Sequence, residues 1–329
     1  MKNNIITTKT PLRISFFGGG TDIGSFYKRY SGGVFSTTIN KYIYVTVKEH
    51  KKIFAEKYRL NYSTSERKKK ISDIKNNIIR ETIKLLKIKR PLYISSVGDV
   101  PNKSGLGSSS SFTVGLIKAL CELESKKISK KKLAELACEV EIKILKNPIG
   151  KQDQYAAAYG GLNHIIFLKN STVKVRYKKK YIRFIKKLFK NSLLLYTGIT
   201  RNASDILEAQ KKQKRTFEKL LKINKICNNF LKVKNKKLTM NIFQNYLDEN
   251  WKIKKDLTNK TSNNKIDKIY KLSKSNGAIT LKLLGAGGGG FFFLIIDKKK
   301  KKIFKKKMSK YKILDLEYEN EGSKVILKN

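Results

Sequence analysis

The segment Pro101-Asn102-Lys103-Ser104-Gly105-Leu106-Gly107-Ser108-Ser109-Ser110-Ser111 constrains this chain more than any other. It follows a strand-like run, Leu92-Tyr93-Ile94-Ser95, and leads into a helical run from Ser108 to Leu123. Glycines at 105 and 107 remove the Cβ atoms that keep a backbone away from a ligand. The serines then open a helix whose first N–H groups are unpartnered and whose dipole end is positive, an arrangement that receives phosphate oxygens. A serine hydroxyl in that turn can reach a phosphate or a magnesium ion. Read by itself, the segment also fits a serine-rich loop with an ordinary N-cap.

Other nucleotide-binding signatures are absent. No stretch matches Gly-x-x-x-x-Gly-Lys-[Ser/Thr], and no His-Arg-Asp or Asp-Phe-Gly tripeptide occurs. Gly285-Ala286-Gly287-Gly288-Gly289-Gly290 contains Gly-x-Gly-x-x-Gly, but Phe291–Ile296 after it reads as a strand, whereas a dinucleotide fingerprint opens a helix. The expectation for Gly285, Gly287 and Gly288 is a hairpin loop whose bare backbone lies against a ligand or another loop. A third loop, Gly18-Gly19-Gly20-Thr21-Asp22, follows a strand that carries Arg13. Asp22 can accept hydrogen bonds from sugar hydroxyls there, or simply close an Asp-containing turn.

Length and composition exclude several classes. The 329 residues suit one large or two modest domains at roughly 100–200 residues each, and 40% hydrophobic residues suffice for a core. Three widely spaced cysteines give neither a disulfide framework nor a zinc site, so a reducing, cytoplasmic location is expected. The longest mostly apolar stretch, 283–296, is 14 residues, against the roughly 20 of a membrane helix, and no secretion signal opens the chain. With only His50 and His164, chemistry must rest on carboxylates, hydroxyls, Arg, Lys and backbone amides. The formal charge of +49 suggests a nucleic-acid binder. The excess is spread along the chain, however, and basic runs such as Lys298–Lys302 lack interleaved aromatics, so a solvated lysine surface is the reading taken.

Strands are expected at Leu12–Phe17, Val34–Ile39, Tyr42–Val47, Leu92–Ser95, Leu162–Ile166, Leu193–Tyr196, Ile279–Leu284 and Phe291–Ile296. Helices are expected over 72–89, over 108–123, after an N-cap at Ser129 and up to Asn147-Pro148, from Ala203 to about Leu231, and over about 241–275. Strands and helices do not alternate regularly, which indicates an α+β fold. The Lys-rich stretch 169–190 is the best boundary, giving lobes at 1–180 and 181–329. The Lys-rich region around 50–70 is a candidate lid by composition only.

Together, Pro11–Asp22, Gly105–Ser110 and Lys282–Gly289 resemble the three motifs of the GHMP kinases, in the same order and across nearly the whole chain. Within that superfamily the sequence is similar to the D-glycero-D-manno-heptose 7-phosphate kinase branch. Phe17-Gly18-Gly19-Gly20-Thr21-Asp22-Ile23, Ile39–Tyr42, Gly150–Tyr155 and Tyr196–Arg201 carry this similarity, and the Glu-His pair of galactokinases is missing. The resemblance implies a two-lobed fold, with an N-terminal lobe like ribosomal S5 domain 2, a ferredoxin-like C-terminal lobe and an active site in the cleft between them. It implies ATP and Mg2+ as cofactors and phosphorylation of the anomeric hydroxyl of heptose 7-phosphate, in a nucleotide-activated heptose pathway serving capsule, lipopolysaccharide or S-layer glycans. A fucokinase- or galactokinase-like enzyme acting on an unphosphorylated sugar is the alternative. Nucleic acid and membrane are not expected partners, and the oligomeric state is left open.

The resemblance also implies residue roles. Lys103, Gly105, Leu106, Gly107, Ser108, Ser109 and Ser110 would hold ATP, with Ser109 and Glu141 as magnesium ligands. Helical geometry agrees on Glu141: at about 100° per residue it lies at the edge of the Leu133/Leu136/Val140/Ile144 face, while Glu135 and Glu139 point away. Asp153 would orient or deprotonate the acceptor hydroxyl, with Arg13 beside it and Lys151 as a weaker supporting charge. Gly19, Gly20, Thr21 and Asp22 would hold the sugar. The 7-phosphate needs a cationic seat, for which Arg201 is the first candidate, followed by Lys28 and Arg29.

Overall fold

The β-branched and aromatic runs near the N-terminus form two long strands, β1 (Ile5–Phe17) and β2 (Gly32–Glu49), paired antiparallel in a computed structural model that describes residues 5–51, 53–200, 206 and 216–329. The two runs expected at Val34–Ile39 and Tyr42–Val47 are one strand. A bulge between Pro11 and Leu12 on β1 absorbs the irregularity at Asn40-Lys41, at the residue that has no N–H to give the ladder.

Strand β2 organises the first sheet. Its first part pairs with β6 (Leu162–Phe167) and its second part with β5 (Leu92–Gly98). Strand β3 (Tyr58–Asn61) runs parallel to β5, β4 (Ser65–Lys68) pairs with β3, and β7 (Val173–Tyr177) pairs with β6. Much of the Lys-rich 50–70 region is therefore sheet edge. The last strands return to the same sheet: β12 (Tyr318–Glu319) pairs with β2, and β13 (Lys324–Lys328) with β1.

Helix α3 (Ser108–Leu123) lies across β1 and β2. At Gly115 the approach is so close that a Cβ would sit 2.7 Å from Thr10 Oγ1, and Thr8 Oγ1 donates to the Gly115 carbonyl at 3.0 Å. Helices α4 (Lys130–Cys138) and α5 (Gln152–Tyr159) pack on α3 through Val114, Ile117, Ala134, Ala137, Ala156 and Ala157. The small α1 (Gly24–Tyr30) and α2 (Asn77–Leu85) flank this layer. Residues 72–89 were expected to be one helix; a 3-10 turn at Ile71–Asp73 precedes α2, whose N-cap Asn76 accepts from the Ile79 N–H at 3.1 Å.

The second sheet is antiparallel in the order β11 (Ile313–Leu314), β8 (Ser192–Tyr196), β10 (Phe291–Ile296), β9 (Ala278–Leu283). All six residues of β10 are buried, as a strand covered on both faces requires. Trp251 of α8 (Met240–Lys255) and Ile266 and Ile269 of α9 (Asn264–Ser275) cover one face; α6 (Ile182–Lys190), α7 (Thr216–Lys232) and α10 (Lys301–Lys307) complete the helices described. The stretch 241–275 is two helices rather than one, because Asn263 caps α9 by accepting from Ile266 N–H at 3.0 Å. Arg201 and the start of the helix expected from Ala203 lie outside the described residues.

A phenylalanine cluster joins the sheets. Phe16 of β1 has its ring centroid 5.6 Å from Phe293 of β10 and 5.2 Å from Phe243 of α8, with Phe35, Phe189 and Phe230 around them. Edge-on contacts of this kind add to the area they bury. The rigid join fixes the ends of β1 and β9, and both ends lead into glycine loops.

Candidate active site

Three glycine loops meet at one cavity of about 490 Å³. The loop after β9 lies against the loop before α3 backbone to backbone: a Cβ on Gly285 would be 2.6 Å from Gly105 Cα, and one on Gly290 would be 2.2 Å from the Ser104 carbonyl oxygen. The Phe291 N–H donates to that same Ser104 carbonyl at 3.1 Å. Of the two partners expected for this hairpin loop, another loop is the one observed. Gly285 lines the cavity, while Gly287 and Gly288 turn to Thr261, whose carbonyl accepts from Gly288 N–H at 2.6 Å.

Arg13 and Asp153 form the centre. The guanidinium donates from Nε to Asp153 Oδ1 at 2.7 Å and from Nη2 to Oδ2 at 2.8 Å, while Nη1 donates to the Gly105 carbonyl at 2.6 Å. One buried arginine thus holds both the acid and the glycine loop in place. The bidentate fork fixes the carboxylate plane, which a lysine could not do. Asp153 keeps 23% of its side chain exposed, facing the cavity.

Ser109 and Glu141 form the second group. Helix α3 begins at Gly107, whose φ of +81° suits glycine, and Ser108 and Ser110 are buried while Ser109 faces the cavity. Ser109 Oγ donates to Glu141 Oε1 at 2.8 Å, and Gln154 Nε2 donates to Oε2 at 2.7 Å. Glu141 is fully buried, and burial raises its pKa against the lowering effect of the Ser110, Ser109 and Gln154 hydrogen bonds. Its place on the helix differs from the simple α-helical expectation. Residues Glu139–Ile144 form a π turn, with the Leu145 N–H donating to the Val140 carbonyl at 3.0 Å. The wider turn carries Glu141 inward and leaves Ile144 39% exposed, although Ile144 was expected on the apolar face.

Asp22 is buried and closes the third loop. Oδ1 accepts from Gly20 N–H and Gln152 Nε2, both at 3.0 Å, and Oδ2 accepts from Gln152 N–H at 3.1 Å. It therefore caps α5 from a distance, the favourable place for a carboxylate. About four lone-pair sites on a carboxylate leave one for a ligand hydroxyl. Burial and the nearby Asp153 charge raise its pKa. Gly150 is required beside it, since a Cβ there would stand 1.9 Å from Asp22 Oδ2.

The structure thus brings Arg13, Gly19, Gly20, Asp22, Lys103, Gly105, Gly107, Ser108, Ser109, Ser110, Glu141, Asp153 and Gly285 to one cavity. Thr21 and Leu106 do not line it: the Thr21 hydroxyl is turned to the carbonyls of Gly18 and Gly33, and Leu106 is core. Lys28 and Arg29 are exposed outside it, and Lys151 is directed to the Ser171 carbonyl and the Tyr27 ring. Sequence reasoning missed Gln152, Gln154, Asn250, Lys254 and Lys282. Lys282 donates to the Ser15 carbonyl at 3.3 Å, to the Phe16 carbonyl, and to Asn250 Oδ1 at 2.7 Å. Burial, reinforced by the Lys254 charge, pushes its pKa well below the ordinary lysine value. Among the described residues no group of three or more His, Cys, Asp or Glu side chains is placed to hold a metal, and no helix is long and apolar enough to cross a membrane.

Chemically, the cavity offers a clamped carboxylate, a second carboxylate paired with a hydroxyl, a helix N-terminus open to anions, and buried cations on the facing side. The GHMP kinases N-terminal domain matches residues 77–161, and the GHMP kinases C-terminal domain matches 234–313. The chain is 36% identical over 295 residues to the D-glycero-alpha-D-manno-heptose 7-phosphate kinase of Campylobacter jejuni, covering 86% of each chain. It is 28% identical over 228 residues to the galactokinase of Pyrococcus furiosus, covering 66% of this chain and 60% of that one. A D-glycero-D-manno-heptose 1-phosphate kinase from Bacteroides thetaiotaomicron shares the fold with a TM-score of 0.77 at 24% identity, covering 98% of this chain and 99% of that one.

Proposed function

The chain belongs to the GHMP kinases, and on that premise we propose that it transfers the γ-phosphoryl group of ATP to the anomeric hydroxyl of D-glycero-D-manno-heptose 7-phosphate, giving the 1,7-bisphosphate. The observation that carries the reading is the Arg13–Asp153 fork, which faces the same cavity as the Ser109–Glu141 pair. The heptose substrate rests on the identity to the Campylobacter enzyme over most of both chains. The missing Glu-His pair in the Gly18–Asp22 loop speaks against galactose.

In this reading the N-terminus of α3, with Lys103 and Gly105–Ser110, receives the nucleotide phosphates. Asp153 accepts the proton of the sugar O1 as the O1–Pγ bond forms and the Pγ–O bond to ADP breaks, and Arg13 keeps it aimed. Asp22 takes a sugar hydroxyl, and Gly19 and Gly20 let the ring approach. One carboxylate and one hydroxyl, with phosphate oxygens and water for the rest, is a donor set suited to Mg2+, so Glu141 and Ser109 would hold that ion. Magnesium bound there supplies positive charge to the β- and γ-phosphates. On this reading the lobes are 1–180 and 181–329, with the site in the cleft between them, and β12 and β13 cross back to the first sheet. ATP as donor and three buried free cysteines fit a cytoplasmic location.

The test is ADP release with Mg-ATP, comparing heptose 7-phosphate with galactose, fucose and mevalonate, and with Asp153→Asn as control. Turnover on the heptose phosphate alone, lost in the variant, is expected. Turnover confined to a free sugar would move the enzyme to the galactokinase or fucokinase type.

A further inference from the structure

The roles assigned so far leave Asn250 and Lys282 unused. Asn250 is 1% exposed and lines the cavity from α8. Its Oδ1 accepts from Lys282 Nζ at 2.7 Å. An ammonium can only donate, so the other terminal atom of the amide must be the NH2 group. That NH2 has no hydrogen-bond partner among the described residues. A buried donor left open in this way is uncommon and calls for an acceptor.

Lys282 is 2% exposed, and its three hydrogen bonds all end on neutral oxygens. Its positive charge is therefore uncompensated by any carboxylate bonded to it among the described residues, a costly state that an anionic ligand would relieve. Lys254, four residues beyond Asn250 and so on the same face of α8, also lines the cavity and donates to the Gly285 carbonyl. Lys254 thus reaches the seam where Gly285 lies against Gly105 of the nucleotide loop, whereas Lys282 lies toward the sugar loop. The nucleotide loop meets β1 at Arg13, whose N–H donates to the Leu106 carbonyl at 3.0 Å, whereas Lys282 meets β1 at Ser15 and Phe16. Phe16 lies roughly 10 Å further along the strand, at about 3.3 Å per residue, toward the Gly18–Asp22 loop.

We propose that Asn250 and Lys282, with Lys254 beside them, form the seat for the phosphate that the acceptor already carries. The proposal rests on the reading of the protein as a phosphosugar kinase. It places the seat on the C-terminal side of the cavity, and Lys28 and Arg29 have no part in it.

Asn250→Asp is the informative variant. It keeps the volume and the bond from Lys282 while replacing the open donor with a negatively charged acceptor. With a non-hydrolysable ATP analogue filling the nucleotide site, inorganic phosphate raises the thermal midpoint of the wild type and fails to do so in Asn250→Asp. In turnover, Asn250→Asp raises the KM for heptose 7-phosphate about tenfold or more and leaves the KM for ATP within about twofold. Should Asn250→Asp not fold, Asn250→Ser gives the same two readouts. Phosphate that does not stabilise the wild type, or that stabilises wild type and variants alike, overturns the seat. A rise in the KM for ATP instead would also overturn it, since the cluster would then serve the nucleotide. If the wild type binds phosphate through Asn250 yet turns over no heptose 7-phosphate, the seat stands and the substrate reading fails.

Discussion

The two walls of the cavity hold charge in opposite ways. On the wall built from β1, α3, the π turn and α5, each carboxylate is matched inside the protein: Asp153 by Arg13, Glu141 by Ser109 and Gln154, and Asp22 by Gly20 and Gln152. On the wall built from α8 and β9, Lys282 rests on two carbonyls and an amide oxygen, and the Asn250 NH2 is unpartnered among the described residues. These bonds hold the carboxylates in place without substrate, as aiming a proton acceptor demands, while Gln154 Oε1 is left without a partner among the described residues. The three donors of Lys282 are used, so the open Asn250 NH2, beside an uncompensated positive charge, is where an anion would bond. The first wall is thus prepared for chemistry and the second for recognition.

The largest effect that would break this contrast comes from Asp153→Asn. The amide oxygen still accepts from one guanidinium N–H while the NH2 meets the other, so the thermal midpoint falls as well. At a temperature where the variant is folded, kcat falls by about 10²–10⁴ if the carboxylate takes the proton. Steady-state rates at saturating ATP and acceptor check this; a loss below tenfold would remove the acid from the reaction. Next comes the seam between the walls. At Gly290, φ is +90° and a Cβ would meet the Ser104 carbonyl oxygen at 2.2 Å, so Gly290→Ala is expected to lose about 3 kcal/mol in urea unfolding.

Glu141→Gln separates function from stability. Burial raises the pKa of this group, so a neutral isostere costs less to enclose. Activity is expected to fall about 10²-fold while the thermal midpoint holds or rises. A variant that loses both would make Glu141 a structural residue of the first wall.

The smallest effect lies behind that wall. His164 of β6 is pushed down to about 4 by burial and by Lys178 and Arg176. The unfolded chain takes up this proton more readily. The stability contribution is therefore full above about pH 6.5 and is lost as pH falls, by about 2 kcal/mol at about pH 5. Urea midpoints across that range, compared with His164→Gln, should show a slope that the variant lacks.

What was legible in the sequence follows from the physics of each feature. The glycine loops announced themselves because close backbone approach and positive φ exclude side chains, and all three reach the cavity. Glu141 was reached through the resemblance, with helical spacing in agreement, although the π turn that buries it leaves no mark in composition and moved Ile144 to the surface. Lys282 was hidden among 74 Lys and Arg residues. It opens the third motif without having been given a role, and its physical signal is position, a lysine inside the apolar run Ile279–Leu284, on the same strand face as Thr280 and Leu284. Asn250 had no such signal, since its role comes from a neighbour 32 residues away. The return of β12 and β13 to the first sheet was equally silent, because short edge strands carry little periodicity.

In the proposed reaction the first wall directs an anomeric hydroxyl at ATP while the second holds the far phosphate. Phosphorus NMR of the product made from heptose 7-phosphate and Mg-ATP tests it most directly. One new phosphomonoester coupled to the anomeric proton is expected, with the original 7-phosphate signal retained. A new phosphate on any other hydroxyl, or ADP formed with the sugar unchanged, would contradict it.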